Sequence, residues 1–110
     1  MDRNQFQRYE ARAAIIKAMA HPTRLLIIEK LSMREHCVCE FQEMVGADMS
    51  TISKHLAILK IAGIVSVDKR GQMVFYRLTC PCILKFLSCV ESMMKDRAKT
   101  HAALAERSVA

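Results

Sequence analysis

The residues best suited to chemistry are five cysteines, four of which fall in two Cys-x-Cys pairs: Cys37 with Cys39, and Cys80 with Cys82. Soft ions need paired thiolates, and two sulfurs one residue apart can supply them. In an extended segment both side chains point to one face, roughly 6.6 Å apart by strand rise. In a regular helix the same two positions are turned ~200° apart. Chelation by Cys37 and Cys39 is therefore expected where an extended segment enters a helix, and that position also lowers a thiol pKa. The competing role for any of these residues is that of a small buried hydrophobe. Cys89 lies on an apolar helical stripe, where that role is the commoner one. Cys82 and Cys89 are separated by about two turns, ~10.5 Å, so one helix cannot bring both to a single ion. Cys80, Cys82 and Cys89 remain additional candidates for metal binding or for disulfide and polysulfide chemistry.

The elements that position these residues are legible from periodicity. Residues 5–20 place Phe6, Tyr9, Ala13, Ile16 and Met19 at helical spacing and stop at His21-Pro22. Pro22 opens a short, heavily apolar second helix containing Leu25, Ile28 and Leu31. Residues 35–40 read as a brief extended segment, followed by a short helix over 41–45 that breaks at Gly46. Asp48 or Ser50 then caps a helix running to about Ala62, with Ile52, Leu56, Leu59 and Ala62 on one apolar stripe. Together these two helices match a helix-turn-helix, whose second helix presents its N-terminal residues to base edges. Ser50, Thr51, Ser53, Lys54 and His55 are the DNA-facing candidates there. Residues 64–67 and 72–78 form two strands of a β-hairpin wing, with Lys69 and Arg70 placed at its tip as phosphate or minor-groove contacts. Pro81 opens a last helix with a broad apolar face, Phe86, Val90, Met93 and Met94 among its members. The apolar faces of the first and last helices lack a partner within one chain, which predicts a dimer.

Composition sets the wider bounds. With 110 residues, 52% apolar and 25% charged, the chain suits a single small globular domain. Seventeen basic against eleven acidic side chains leave +6, a balance that favours a polyanionic partner. No Cys-x-x-Cys motif, glycine-rich phosphate loop or acid/base pair supports an enzyme, and a thiol enzyme or metal carrier is the weaker alternative. No signal peptide or membrane span is recognisable, so a cytoplasmic protein with reduced thiols is expected.

Four strings carry a resemblance: AMAHPTRLLIIEKL over 18–31, HCVCEF over 36–41, STISKHLAILKIAGIV over 50–65 and VFYRL over 74–78. Across about residues 10–95 the sequence resembles the ArsR/SmtB family of winged-helix transcriptional repressors. The resemblance implies a homodimer that binds double-stranded operator DNA when ligand-free and releases it when an inducer binds. The CVC string looks like the motif by which family members hold arsenic, antimony, cadmium or lead. The implied inducer is As(III) or Sb(III) at Cys37 and Cys39, with Cd(II), Pb(II) or Zn(II) as alternatives. In the arsenic-responsive pattern a third cysteine follows three residues after the second, and here Gln42 stands there. A third thiolate must then come from Cys80, Cys82, Cys89 or a small thiol, and a composite site of Cys37 with Cys80 fits a winged helix. Cys80 and Cys82 fall where relatives carry an Asp and a His of a metal site on the dimerisation helix, whose other two ligands would align with about Met93 and Asp96. The expected architecture is mainly α with a small β-hairpin (α+β), a dimeric winged helix-turn-helix spanning 1–110. Residues 5–20 and 81–105 supply dimerisation helices, 41–63 the helix-turn-helix and 64–78 the wing.

Overall fold

A computed structural model describes the backbone of residues 1–109 and the side chains of residues 1–105; Ala110 lies outside the described residues. The chain runs α1 (Arg3–Met19), α2 (Pro22–Met33), β1 (His36–Cys37), α3 (Val38–Val45), α4 (Met49–Ile61), β2 (Val65–Arg70), β3 (Met73–Leu78) and α5 (Ile83–Val109). It is the mainly α winged helix-turn-helix that the sequence pattern predicts, with one addition. The extended segment before α3 joins the wing as a third strand, giving an antiparallel sheet of order β1-β3-β2.

Local chemistry sets the boundaries. His21 caps α2, its Nδ1 accepting the Thr23 backbone N–H at 3.0 Å, with Pro22 in the first helical position. Gly46 ends α3 at φ +74, a left-handed conformation that favours glycine. α3 begins at Val38 and not at Phe41, because Glu40 reaches back to the Cys37 backbone N–H at 3.3 Å and satisfies a donor that would otherwise be orphaned. The expected extended run over 35–40 is thus reduced to His36–Cys37.

The core is assembled from short stripes. Ile27 and Ile28 of α2, Phe41 of α3, and Ile52, Leu56 and Leu59 of α4 are fully buried, and Ile64 and Val65 close the cluster from the wing side. Each such side chain contributes about 1.5–3 kcal/mol through burial. α1 contributes only Ala18 and Met19, leaving Phe6, Tyr9 and Ile16 exposed. α5 is divided: Ile83, Leu84 and Leu87 pack on the core, while Phe86, Val90, Met93 and Met94 stay exposed. α5 continues as helix through Val109, a little beyond the expected end at 105.

In the wing, Arg70 pairs with Met73, so the reversal is the two-residue loop Gly71-Gln72. Gly71 at φ +65 supplies the positive φ that a two-residue hairpin loop requires at its first central position. The turn expected over 68–71 is therefore shifted, and Lys69 and Arg70 lie on β2 next to the tip.

Leu56→Ala should lower unfolding free energy by about 2–5 kcal/mol, through reduced burial and an unfilled cavity beneath α4, as measured by urea denaturation of the reduced protein.

Candidate nucleic-acid interface and thiol sites

The recognition helix is held by its cap and by its buried stripe. Asp48 is the N-cap, its Oδ1 accepting the Thr51 N–H at 2.8 Å and the Ser50 hydroxyl at 2.9 Å. The Thr51 backbone N–H, followed by the Thr51 and Ser50 hydroxyls, holds the Asp48 carboxyl below its usual range. Ser50, Thr51, Ser53 and Lys54 are all exposed at this end of α4.

His55, grouped with them by sequence, differs in being half-buried and engaged within the protein. Its half-buried ring lies 4.4 Å from that of His21, and its Nδ1 accepts the Arg24 Nε–H at 3.1 Å. Arg24 also donates to the Ala18 carbonyl at 3.2 Å, tying α1, α2 and α4 together. An imidazole that accepts at Nδ1 carries its proton on Nε2 and is neutral. Burial, then the charges of His21 and Arg24, push the His55 pKa down. Sequence reasoning misses Arg24, because its partner is 31 residues away and no local spacing reveals the pair.

Of the two wing cations, Lys69 is exposed and makes no ion pair among the described residues. Arg70 is committed to the protein. Its guanidinium donates to both Glu35 carboxylate oxygens and to Asp68, and lies 4.7 Å from the Phe75 ring centre. Glu35, then Asp68, raise its pKa further. These three bonds use one N–H each on Nε, Nη1 and Nη2 and leave two of the five guanidinium donors for another acceptor, so Arg70 is a tip cation held in place by carboxylates.

The first cysteine pair sits where β1 becomes α3. Cys37 is opposite Phe75 in the sheet and is buried; Cys39, in the first turn of α3, is exposed. The change from extended backbone at Cys37 to helix at Val38 draws the two Cα atoms to 5.5 Å, and the sulfurs are joined as a disulfide. Cys80 and Cys82 are joined likewise across Pro81, with Cα atoms 5.4 Å apart, leaving Cys89 free and exposed on α5. At both pairs a local bend brings together sulfurs that a straight strand would hold apart.

Around the first pair, Glu40 bonds Arg34 at 2.6 Å as well as the Cys37 N–H, with His36 Nε2 at 3.7 Å. The Arg34 hydrogen bond, then the Cys37 N–H and the nearby charges of Arg34 and His36, lower the Glu40 pKa. His36 is buried and donates from Nδ1 to the Arg34 carbonyl at 2.9 Å. A groove of about 240 Å³ beside the sulfurs is lined by Val38, Gln72, Met73 and Val74.

The pairs do not converge. Cys37 faces Phe75, and Cys80 follows Phe75 by five residues, roughly 17 Å of extended chain. The composite site of Cys37 with Cys80 is therefore not formed. Among the described residues no group of three or more His, Cys, Asp or Glu side chains is placed to hold a metal ion. Cys89 is exposed and so does not fill the core position its stripe suggested.

A recognition helix with an exposed polar N-terminus, carried on a three-helix core beside a β-wing, defines a winged helix-turn-helix DNA-binding protein. Residues 21–67 match the bacterial regulatory protein, arsR family. An HTH-type transcriptional regulator of Methanocaldococcus jannaschii is 36% identical over 88 residues, covering 79% of this chain and 99% of that one. The crystal structure of NolR from Sinorhizobium fredii superposes with a TM-score of 0.77 at 28% identity, over 84% of this chain and 93% of that one. A homodimeric winged helix-turn-helix DNA-binding domain from Mycobacterium bovis shares the fold, with a TM-score of 0.78 at 22% identity over 91% and 93% of the two chains. The chain belongs to the ArsR family: by class it is a DNA-binding transcriptional regulator and not an enzyme. No helix among the described residues is long and apolar enough to cross a membrane.

Because the folded-state pKa of His55 is depressed below its ordinary value of about 6.5, the unfolded chain binds the extra proton first. Stability from this site is fully present above pH 6.5 and declines as pH falls toward the lowered folded value. Thermal melts of wild type and His55→Gln should therefore diverge in slope below pH 6.5, with the wild type losing Tm faster.

Proposed function

We propose that the chain is a homodimeric repressor that binds operator DNA through α4 and the wing, and releases it when a thiophilic metalloid, As(III) or Sb(III), engages Cys37 and Cys39. The observation that carries this reading is the meeting of two sulfurs at the first turn of α3, the helix that leads through Gly46 into the recognition helix. Once reduced, Cys37 and Cys39 supply two thiolates to one ion, with a third position left for water or a small thiol. Two sulfurs match a trivalent metalloid better than they match Zn(II), Cd(II) or Pb(II), since zinc sites want four ligands. What the protein does is couple that contact to the fold. Cys37 shares its backbone N–H with Glu40, and Phe41, two residues after Cys39, is fully buried in the same core as α4. A change in the backbone at 37–39 is transmitted to the recognition helix through that shared core, as a coupling free energy.

The second copy is assigned to the exposed apolar faces of α1 and α5, with Phe6, Tyr9, Ile16, Phe86 and Val90 on them. Dimerisation sets the spacing of two recognition helices on successive major grooves. Ser50, Thr51, Ser53 and Lys54 are the proposed contacts of α4, and Lys69 that of the wing. A second reading is favoured by the closed state of both cysteine pairs. Oxidation of Cys37 and Cys39 by a peroxide, 2 RSH + H2O2 → RSSR + 2 H2O, would give the same signal without an ion.

The test is operator binding followed by fluorescence anisotropy with the anaerobic, reduced dimer. Arsenite should release DNA from wild type but not from Cys37→Ser/Cys39→Ser. Lys54→Ala should flatten the log–log salt dependence by about 0.9 for each phosphate that Lys54 neutralises in the wild type. Arsenite-driven release that survives the double substitution would overturn the metalloid assignment, and release by peroxide alone would establish the redox reading.

A further inference from the structure

A cleft of about 450 Å³ opens between α1 and the C-terminal end of α4, and no cysteine lines it. Its apolar walls are Ala14, Ile15 and Ala18 of α1, with Ile58, Ile61 and Ala62 at the end of α4. The volume lies within the ~300–1,000 Å³ usual for small-molecule sites. Ile61 is 87% exposed, at a solvated helix end where an amphipathic pattern would place a polar residue. None of the residues assigned to the second copy lines the cleft, and at about 3.6 residues per turn Ala14 and Ala18 stand on the side of α1 away from Tyr9 and Ile16.

Two cations border these walls, Lys17 in the last turn of α1 and Arg24 of α2. Neither pairs with a carboxylate among the described residues, and no acidic side chain lines the cleft. Arg24 is half-buried, yet both of its hydrogen-bond partners, His55 Nδ1 and the Ala18 carbonyl, are neutral. Those bonds use one N–H on Nε and one on Nη1, so three of the five guanidinium donors are left for a further acceptor. A guanidinium fork matches a carboxylate in shape and charge. The walls carry only small or branched alkyl groups and offer no aromatic ring for stacking, which favours an alkyl chain over an aryl group.

We propose that this cleft binds a medium-chain fatty acid, its carboxylate paired with Arg24 and Lys17 and its alkyl chain laid between α1 and the end of α4. The headgroup then sits one hydrogen bond from His55 of the recognition helix, and the chain covers Ile61.

The test is calorimetric titration of the reduced, full-length protein with decanoate, which should give one equivalent per protomer. Affinity should rise at least about twofold for each methylene from hexanoate to decanoate, against about fourfold for complete burial. Decanol, with the same chain and no charge, should bind at least about tenfold more weakly, through loss of the charge-assisted hydrogen bonds. Arg24→Gln should erase the preference for decanoate over decanol. Because Arg24 also ties three helices together, Lys17→Gln at an exposed position supplies a second check and should reduce that preference while decanol binding is unchanged. Ala14→Leu, which fills the cleft from the exposed surface of α1, should remove binding of both. Equal affinity for decanoate and decanol in the wild type, binding that survives Ala14→Leu, or absence of binding at millimolar decanoate would overturn the proposal. Loss of the dimer in Ala14→Leu, read by light scattering, would assign the cleft to the second copy and overturn it as well.

Discussion

The burial of one stripe of α4 organises the molecule. Ile52, Leu56 and Leu59 have no exposed surface, and they meet Ile27 and Ile28 of α2 and Phe41 of α3 in one cluster. Because these positions recur at helical spacing, burying them turns the opposite face of α4 outward, with Ser50, Thr51, Ser53 and Lys54 exposed near its N-terminus. The residues proposed to face DNA are thus placed by the buried stripe on the other side of the same helix. Asp48 secures the helix start, and the Arg24–His55 bond anchors its flank to α2.

The same cluster links the first cysteine pair to the recognition helix. Cys37 is both the last residue of β1 and the residue preceding α3, held by strand pairing to Phe75 and by Glu40 at its backbone N–H. Any ligand or bond that draws the two sulfurs together acts on a backbone that is already constrained from two sides. Phe41 then carries a displacement directly into the core, since a close-packed interior transmits strain and does not absorb it. Cys80 and Cys82 stand at a different mechanical point, where the wing passes into α5. The two cysteine pairs therefore adjoin two different elements: α3, which packs against α4, and α5, whose outer apolar face is exposed.

Much of this is legible in the sequence. The α4 stripe, the Gly46 break, the proline at the start of α2 and the unpartnered faces of α1 and α5 each follow from local spacing. What escapes depends on long-range pairing or on competition between neighbours. Arg70 reads as a free cation until Glu35, 35 residues earlier, is brought beside it by β1. His55 reads as part of an exposed polar face until Arg24 is seen to claim it. The sequence pattern starts α3 three residues late, because the Glu40 cap outweighs the extended tendency of the CVC string. That shift changes the geometry of the cysteines from a flat strand pair to a bend in which the sulfurs meet.

The central claim is that chemistry at Cys37 and Cys39 reaches α4 through the start of α3. Amide hydrogen exchange on the reduced dimer, with and without stoichiometric arsenite, tests it residue by residue. The account predicts changed protection at the N-terminal turn of α3 together with α4, and none of it in Cys37→Ser/Cys39→Ser. Release of operator DNA by arsenite with exchange in α3 and α4 unaltered would contradict it.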